Sequence, residues 1–232
     1  MASPASTEVT SVPAFRTQSY FPIGSGDAFS AAFTYGWAVR GLTAGGAAIF
    51  ASRAAAAYCA APRVSFSEQD VRDALFEPIR PTRDGRQPRR VYLAGPFFTT
   101  ADRWLVEEAY EALAHQGVTV FSPFHDVGVG PAETVAPADL RGLDESDAVF
   151  AIVDGFDAGT LFEIGYARAR DIPVVALVQN APQEPLKMLV GSGCDVVDDF
   201  VTALYRASWA AQERTVSVTE ASTDNAATPF AP

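Results

Sequence analysis

Four acids gather around one stretch of the chain. Asp154, Asp157 and Glu163 lie within ten residues, and Asp139 precedes them by fifteen. Two or more carboxyl groups on one cleft are what cleavage of a glycosidic bond requires. One attacks or stabilises the anomeric carbon, and another delivers a proton to the leaving group. In an N-glycosidic bond the leaving group is a heterocyclic base, which departs easily only when protonated. Tyr92, His125, Gly128 and Gly130 lie close to the same loops. Each candidate also has a plain structural reading. Thr160-Leu-Phe-Glu163 fits a capping box, in which Glu163 merely closes a helix N-terminus. Asp157 before Gly159 fits a turn. A lone His125 in a loop fits a solvated or structural role, and Tyr92 in a strand fits packing. Spacing alone leaves both readings open. No His, Cys or Asp cluster has metal-ligand spacing, so no metal and no cofactor is expected.

The elements that must position these residues alternate. The pattern predicts strands over Arg90–Ala94, Val118–Phe121, Ala148–Val153, Val174–Val178 and Asp195–Val197. Between them it predicts helices over Ala101–His115, Ala138–Glu145 and Thr160–Arg170, a helical turn over Pro185–Val190, and a closing helix over Asp198–Ala211. Thr99 offers a cap with Asp102 at the third position. Strands alternating with helices imply an α/β fold, a Rossmann/flavodoxin-like parallel sheet with helices on both faces. Ligands in such sheets bind beyond the carboxyl ends of the strands, at a switch point. The loops that matter are therefore 95–99, 122–131 and 154–160.

The rest of the chain frames this domain, expected over 89–213. Residues 1–19 and 214–232 are rich in Ser, Thr, Pro and Ala and read as disordered tails, too polar to offset their ordering entropy. Residues 77–88 read as a linker crowded with proline and arginine. Between tail and linker, 20–76 reads as a small helical segment. Helices are expected over Asp27–Arg40 and Ala44–Ala60, with a third capped by Ser67 and Asp70. That segment is a poor core by itself and is expected to lean on the following domain or on a second subunit.

Composition excludes several function classes. The 232 residues carry 17 basic and 28 acidic side chains, a net charge of −11, which argues against holding polymeric nucleic acid through phosphate contacts. A small nucleotide remains open, because it needs only a local positive site. The apolar stretch Gly41–Ala61 is mostly Ala and Gly around Arg53, so a packed helix suits it better than a membrane span. The first residues lack a basic region followed by an apolar core, so no secretory signal is expected and the cytoplasm is the default. Cys59 and Cys194 lie far apart and read as buried thiols in a reducing compartment.

The second half of the chain resembles the nucleoside 2-deoxyribosyltransferase family. The matching text is Tyr92-Leu-Ala-Gly-Pro96, Ser122-Pro123, Ala138-Asp-Leu-Arg-Gly142, Ser146-Asp-Ala-Val149, Asp157-Ala-Gly-Thr-Leu-Phe-Glu-Ile-Gly-Tyr-Ala167 and Ile172-Pro173. The long run from Asp157 is the specific part. The resemblance implies that Glu163 is a nucleophile forming a covalent glycosyl-enzyme intermediate, and that Tyr92 orients it. It implies that Asp157 and Asp139 assist proton transfer on the base side. Gly95, Pro96 and Phe97 then line the substrate site with His125 and Gly159. A helix N-terminus would lower the pKa of Glu163 and keep it ionised. The family holds transferases, which pass deoxyribose between bases, and hydrolases of nucleoside 5′-monophosphates. Lys187 would meet a 5′-phosphate as a point charge or serve as a surface residue. The reading is an enzyme acting on a small nucleoside or nucleotide, a homo-oligomer with shared sites. Its alternatives are an N-glycosidase and a non-catalytic nucleotide-binding module.

A shorter stretch, 21–63, resembles the C-terminal signature of ribokinase-like sugar kinases. Gly24-Ser-Gly-Asp27 stands where that family forms an anion hole, and Gly24, Gly26 and Asp27 are expected to be a remnant of it. The upstream residues such a kinase needs are missing, as are the acidic and hydroxyl residues usual before the loop, replaced by Phe21 and Pro22. Kinase activity is not expected.

Overall fold

The computed structural model describes residues 11–17, 20–61, 67–73, 78–79, 89–182 and 184–224. The chain divides into two compact units, Met1–Arg83 and Asp84–Pro232.

The first unit is helical with one small ribbon. Strand β1 (Ala14–Phe15) pairs antiparallel with β2 (Pro78–Ile79). These residues were expected in the N-terminal tail and in the linker. A proline enters a ladder this short because a two-stranded sheet has only edges, where one face of N–H groups is unused. The remaining tail residues 1–10 and linker residues 80–88 lie outside the described residues. Helix α1 (Ser25–Thr34) runs on into a π-helical turn over Tyr35–Val39, and α2 (Ala44–Ala60) packs against it. Alanines make the approach close: Ala32, Ala51 and Ala54 are buried with Val71 under Phe29, Phe33 and Phe50. Ser67 and Asp70 cap α3 (Glu68–Asp73) reciprocally, the Ser67 hydroxyl accepting from the Asp70 amide and the Asp70 carboxylate from the Ser67 amide.

The second unit is built on five parallel strands. They are β3 (Arg90–Ala94), β4 (Thr119–Phe121), β5 (Ala148–Ile152), β6 (Val174–Leu177) and β7 (Asp195–Val197), in the order β4-β3-β5-β6-β7. Their sequences are near-continuous apolar runs because both faces are covered, as parallel strands require. Helices α4 (Thr100–His115) and α8 (Phe200–Asp224) cover one face, burying Val106, Ala109, Leu113, Leu204 and Ala207 against Val91, Leu93 and Phe150. Helices α5 (Ala132–Asp144), α6 (Ala158–Ala169) and α7 (Lys187–Gly191) cover the other, where Leu143, Ile164 and Leu189 meet Tyr92, Val149 and Ala176. The order reverses at β3, whose connections lead to opposite sides. The crevice at the switch point therefore lies between the carboxyl ends of β3 and β5.

Two helices of the second unit depart from the sequence expectation. Helix α5 begins six residues before Ala138 and continues through Pro137, which forfeits one backbone hydrogen bond but does not end the helix. Helix α8 reaches Asp224, so 214–224 are helix and not tail; no Gly or Pro interrupts 200–224. Arg214 ties it down by donating to the Ser146 carbonyl at 2.7 Å. Residues 225–232 lie outside the described residues. Thr99 and Asp102 form the expected capping box of α4. Cys59 and Cys194 are buried free thiols. Among the described residues no helix is long and apolar enough to cross a membrane.

Gly142 fixes the seat of α5. It is buried, and a Cβ there would overlap the Phe121 ring, which stacks on Tyr92 at 5.4 Å. Replacing Gly142 with Ala is expected to cost about 1–3 kcal/mol, as overpacking does. Thermal denaturation should show the melting temperature falling by about 2–10 °C, with unchanged secondary structure by circular dichroism.

Candidate active site

The site is assembled around one long-range hydrogen bond. Tyr92, in the middle of β3 and fully buried, donates its hydroxyl to Glu163 Oε1 at 2.7 Å. Glu163 comes from α6, the helix that follows β5, so the bond bridges the two strands at the switch point. β3 supplies the register: Tyr92 pairs with Phe121 on β4 and with Val149 on β5.

Glu163 does not sit where a capping box would put it. Asp157 is the N-cap of α6, its Oδ2 accepting from the Thr160 amide at 2.8 Å. Thr160 is therefore the third helical residue and Glu163 the sixth, a full turn inside the helix. The expectation of a lowered pKa fails with it. Desolvation is the largest influence on Glu163 and raises its pKa from 4.5 to about 7. The Tyr92 hydrogen bond pulls it down, and the charges of Asp139 and Asp157 push it up. Helix-terminus effects fade within the first turn, whereas burial acts on the carboxyl group directly. The same burial and the Glu163 charge drive the Tyr92 phenol far above its usual range, so it stays protonated and donates.

The other acids divide by role. Asp139 on α5 has its pKa raised by burial, and its Oδ1 is buried with no hydrogen-bond partner among the described residues. Its charge raises the pKa of both Tyr92 and Glu163. Asp154 serves the scaffold: its carboxylate accepts from the Gln179 amide at 3.0 Å and the Asn180 amide at 3.0 Å, joining the ends of β5 and β6. The turn after it is tight. Phe156 donates its amide to the Val153 carbonyl at 2.9 Å, with Gly155 at φ 90° and Phe156 itself at φ 52°.

The remaining candidates are placed as follows. Gly95 follows β3, where a Cβ would press within 3.2 Å of Ile152. Pro96 is buried, and the Phe97 ring lies tilted against those of Phe98 and Phe124, centroids 5.3 and 5.5 Å away. His125 turns toward α4, with Nε2 at 3.1 Å from Glu107 and its ring at 4.4 Å from Tyr110. Gly159 leaves room beside Asp157, Cβ to Oδ2 being 3.1 Å. Lys187 is exposed and paired with Glu184 at 2.7 Å. In the first unit Gly24 takes the left-handed conformation before α1, with Asp27 exposed in the first turn. Sequence reasoning missed Thr160, whose hydroxyl donates to Asp157 Oδ2 at 3.0 Å. The signal was its place in the Asp157-to-Ala167 run, masked there by its resemblance to a cap. An apolar groove of about 680 Å³ between α6 and α7, lined by Phe156, Leu161, Ile164, Met188 and Leu189 among others, contains none of the four candidate catalytic residues. Among the described residues no cluster of His, Cys, Asp and Glu has the form of a metal site.

Residues 91–204 match the family model described as nucleoside 2-deoxyribosyltransferase. The match lies wholly in the second unit and supports a nucleoside deoxyribosyltransferase-like function. Solved structures similar to this chain include a 2-deoxyribosyltransferase from Bacillus psychrosaccharolyticus, 28% identical over 49% of this chain and 95% of its own, TM-score 0.41. A 2-deoxyribosyltransferase from Leishmania mexicana is 21% identical over 48% of this chain and 75% of its own, TM-score 0.37. A CMP N-glycosidase from Clostridium botulinum is 19% identical over 51% and 97%, TM-score 0.40. No curated protein matches. The resemblance of 21–63 to sugar kinases finds no support in these comparisons, since the family match begins only at Val91.

Two pH dependences follow from Glu163. A nucleophilic carboxyl must be ionised, so kcat/KM should rise with pH through an apparent pKa of about 7. Tyr92→Phe removes the bond that lowers that pKa, so the limb should move to higher pH. For stability the sign is opposite. A carboxyl whose folded pKa is raised from 4.5 to about 7 contributes stability that is complete below about 4.5 and lost as pH rises through about 7. Urea unfolding of Glu163→Gln against pH should lack that component.

Proposed function

We propose, on a domain of the nucleoside 2-deoxyribosyltransferase family at 91–204, that this protein cleaves the N-glycosidic bond of a 2′-deoxynucleoside and passes the sugar to another base. The observation that carries the reading is the hydrogen bond from Tyr92 to Glu163 at 2.7 Å, which aims a desolvated carboxyl group across the switch-point crevice. Glu163 attacks the anomeric carbon as the carbon–nitrogen bond breaks, and the electron pair of that bond leaves with the base. Asp139 and Asp157 handle the proton the base needs. An acceptor base then displaces Glu163 from the sugar and gives up its own proton.

Water in place of the acceptor gives the N-glycosidase reading. Lys187, the cation nominated for a 5′-phosphate, is already paired with Glu184, which supports a nucleoside over a nucleotide. Gly95, Pro96, Phe97 and Gly159 form the substrate side of the crevice in this reading, and His125 braces the 122–131 loop against α4. The exposed apolar side chains Phe162, Met188 and Val190 support a homo-oligomer. The buried free thiols Cys59 and Cys194 support a reducing, cytoplasmic setting.

Incubation with 2′-deoxynucleosides and their 5′-monophosphates, with and without an acceptor base, tests the assignment. A new nucleoside that forms only with acceptor is expected. Free base released without acceptor makes the protein a hydrolase, and binding without turnover makes it a sensor. Glu163→Ala should lose about 10³-fold or more in kcat with the fold intact, and wild-type turnover in that variant would sink the covalent mechanism.

A further inference from the structure

The covalent reading asks of the β5–α6 loop only one carboxyl group, but Asp157-Ala158-Gly159-Thr160 is built more elaborately than that. Asp157 Oδ2 accepts twice from one residue, from the Thr160 amide at 2.8 Å and from the Thr160 hydroxyl at 3.0 Å. The amide bond is an ordinary N-cap. The hydroxyl bond satisfies no further backbone group; what it fixes is the rotation of the carboxyl plane. Thr160 is 2% exposed, so its hydroxyl has little water to turn to. Gly159 clears the same oxygen, since a Cβ there would lie 3.1 Å from Asp157 Oδ2. Among the described residues Asp157 Oδ1 accepts no hydrogen bond. With two donors on Oδ2, a proton taken up by this carboxyl group resides on Oδ1.

We propose that Thr160 is a positioning residue: its hydroxyl, with the clearance at Gly159, locks Oδ2 of Asp157 to the helix terminus and leaves Oδ1 as the oxygen of Asp157 that exchanges a proton with the nucleobase. This rests on the base-side role of Asp157 proposed above. As the carbon–nitrogen bond breaks, its electron pair stays with the base, the proton on Oδ1 passes to a ring nitrogen, and a Glu163 oxygen bonds to the anomeric carbon. In the return step the incoming base loses its proton to Oδ1. A carboxyl group free to rotate would spend part of its time presenting the wrong oxygen.

The test compares Thr160→Val, Thr160→Ser, Gly159→Ala and Asp157→Asn in the full chain. Release of the departing base in the first turnover, before the return step, is measured on 2′-deoxynucleosides of ordinary bases and on N7-methyl-2′-deoxyguanosine, whose base is already cationic and departs without a proton. Thr160→Val should lower kcat on ordinary substrates about 10-fold or more with little change in KM. On the N7-methyl substrate its loss should be at most about 3-fold. Thr160→Ser keeps the hydroxyl and should restore turnover on both. Gly159→Ala, which crowds Oδ2 without touching the hydroxyl, should show the same selectivity and stands in if Thr160→Val does not fold. Equal losses on both substrate types in Thr160→Val or Gly159→Ala, or undiminished turnover, overturn the proposal. Asp157→Asn separates the two levels. If it too lacks the leaving-group dependence, the base-side role of Asp157 fails; if it shows that dependence and Thr160→Val does not, only the lock fails.

Discussion

Glu163 is a carboxyl group withdrawn from water and given one strong donor, the Tyr92 hydroxyl at 2.7 Å. Much of the second unit is arranged so that this bond forms. Tyr92 must sit in the interior of β3 with its ring stacked on Phe121, which needs β4 in register beside it. Gly142 must lack a side chain so that α5 passes over Phe121. Glu163 must project from the second turn of α6, which needs the helix to begin at Ala158. Desolvation raises the Glu163 pKa to about 7 and the tyrosine restrains the rise.

The electrostatic design is one of concentrated like charge. Asp139 and Asp157 both oppose ionisation of Glu163, and the three belong to separate structural tasks. Asp139 is carried by α5 and keeps an oxygen without a partner. Asp157 caps α6 through one carboxylate oxygen, which accepts from both the amide and the hydroxyl of Thr160. Glu163 is steered by a phenol.

The sheet was legible in the sequence because parallel strands covered on both faces read as near-continuous apolar runs, and VYLA, AVFAI and VVAL do. The Thr99 cap was legible because its reciprocal partner Asp102 stands three residues on. The start of α6 was not. Thr160 and Glu163 have capping-box spacing, and so does Asp157 with Thr160; only the fold decides which residue is the cap. The pKa of Glu163 was misjudged for the same reason, since burial cannot be read from spacing. The passage of α5 through Pro137 was hidden because proline reads as a boundary, yet a helix held by packing on the sheet absorbs the loss of one bond. The ribbon joining Ala14–Phe15 to Pro78–Ile79 was hidden because strands of two residues leave no periodicity to detect.

Asp154 holds the end of β6 through the backbone amides of Gln179 and Asn180. An anchor that grips main chain is indifferent to the side chains it grips. Position 180 is therefore free to change to any residue that keeps an N–H, proline alone excluded, while Gln179 also reaches the Asp198 carbonyl with its side chain at 3.4 Å. An engineer can change the exposed side chain there without moving Asp154 or Asp157, three residues along the chain from the anchor. The invariant belongs to Asp154, and the variation to the segment it holds.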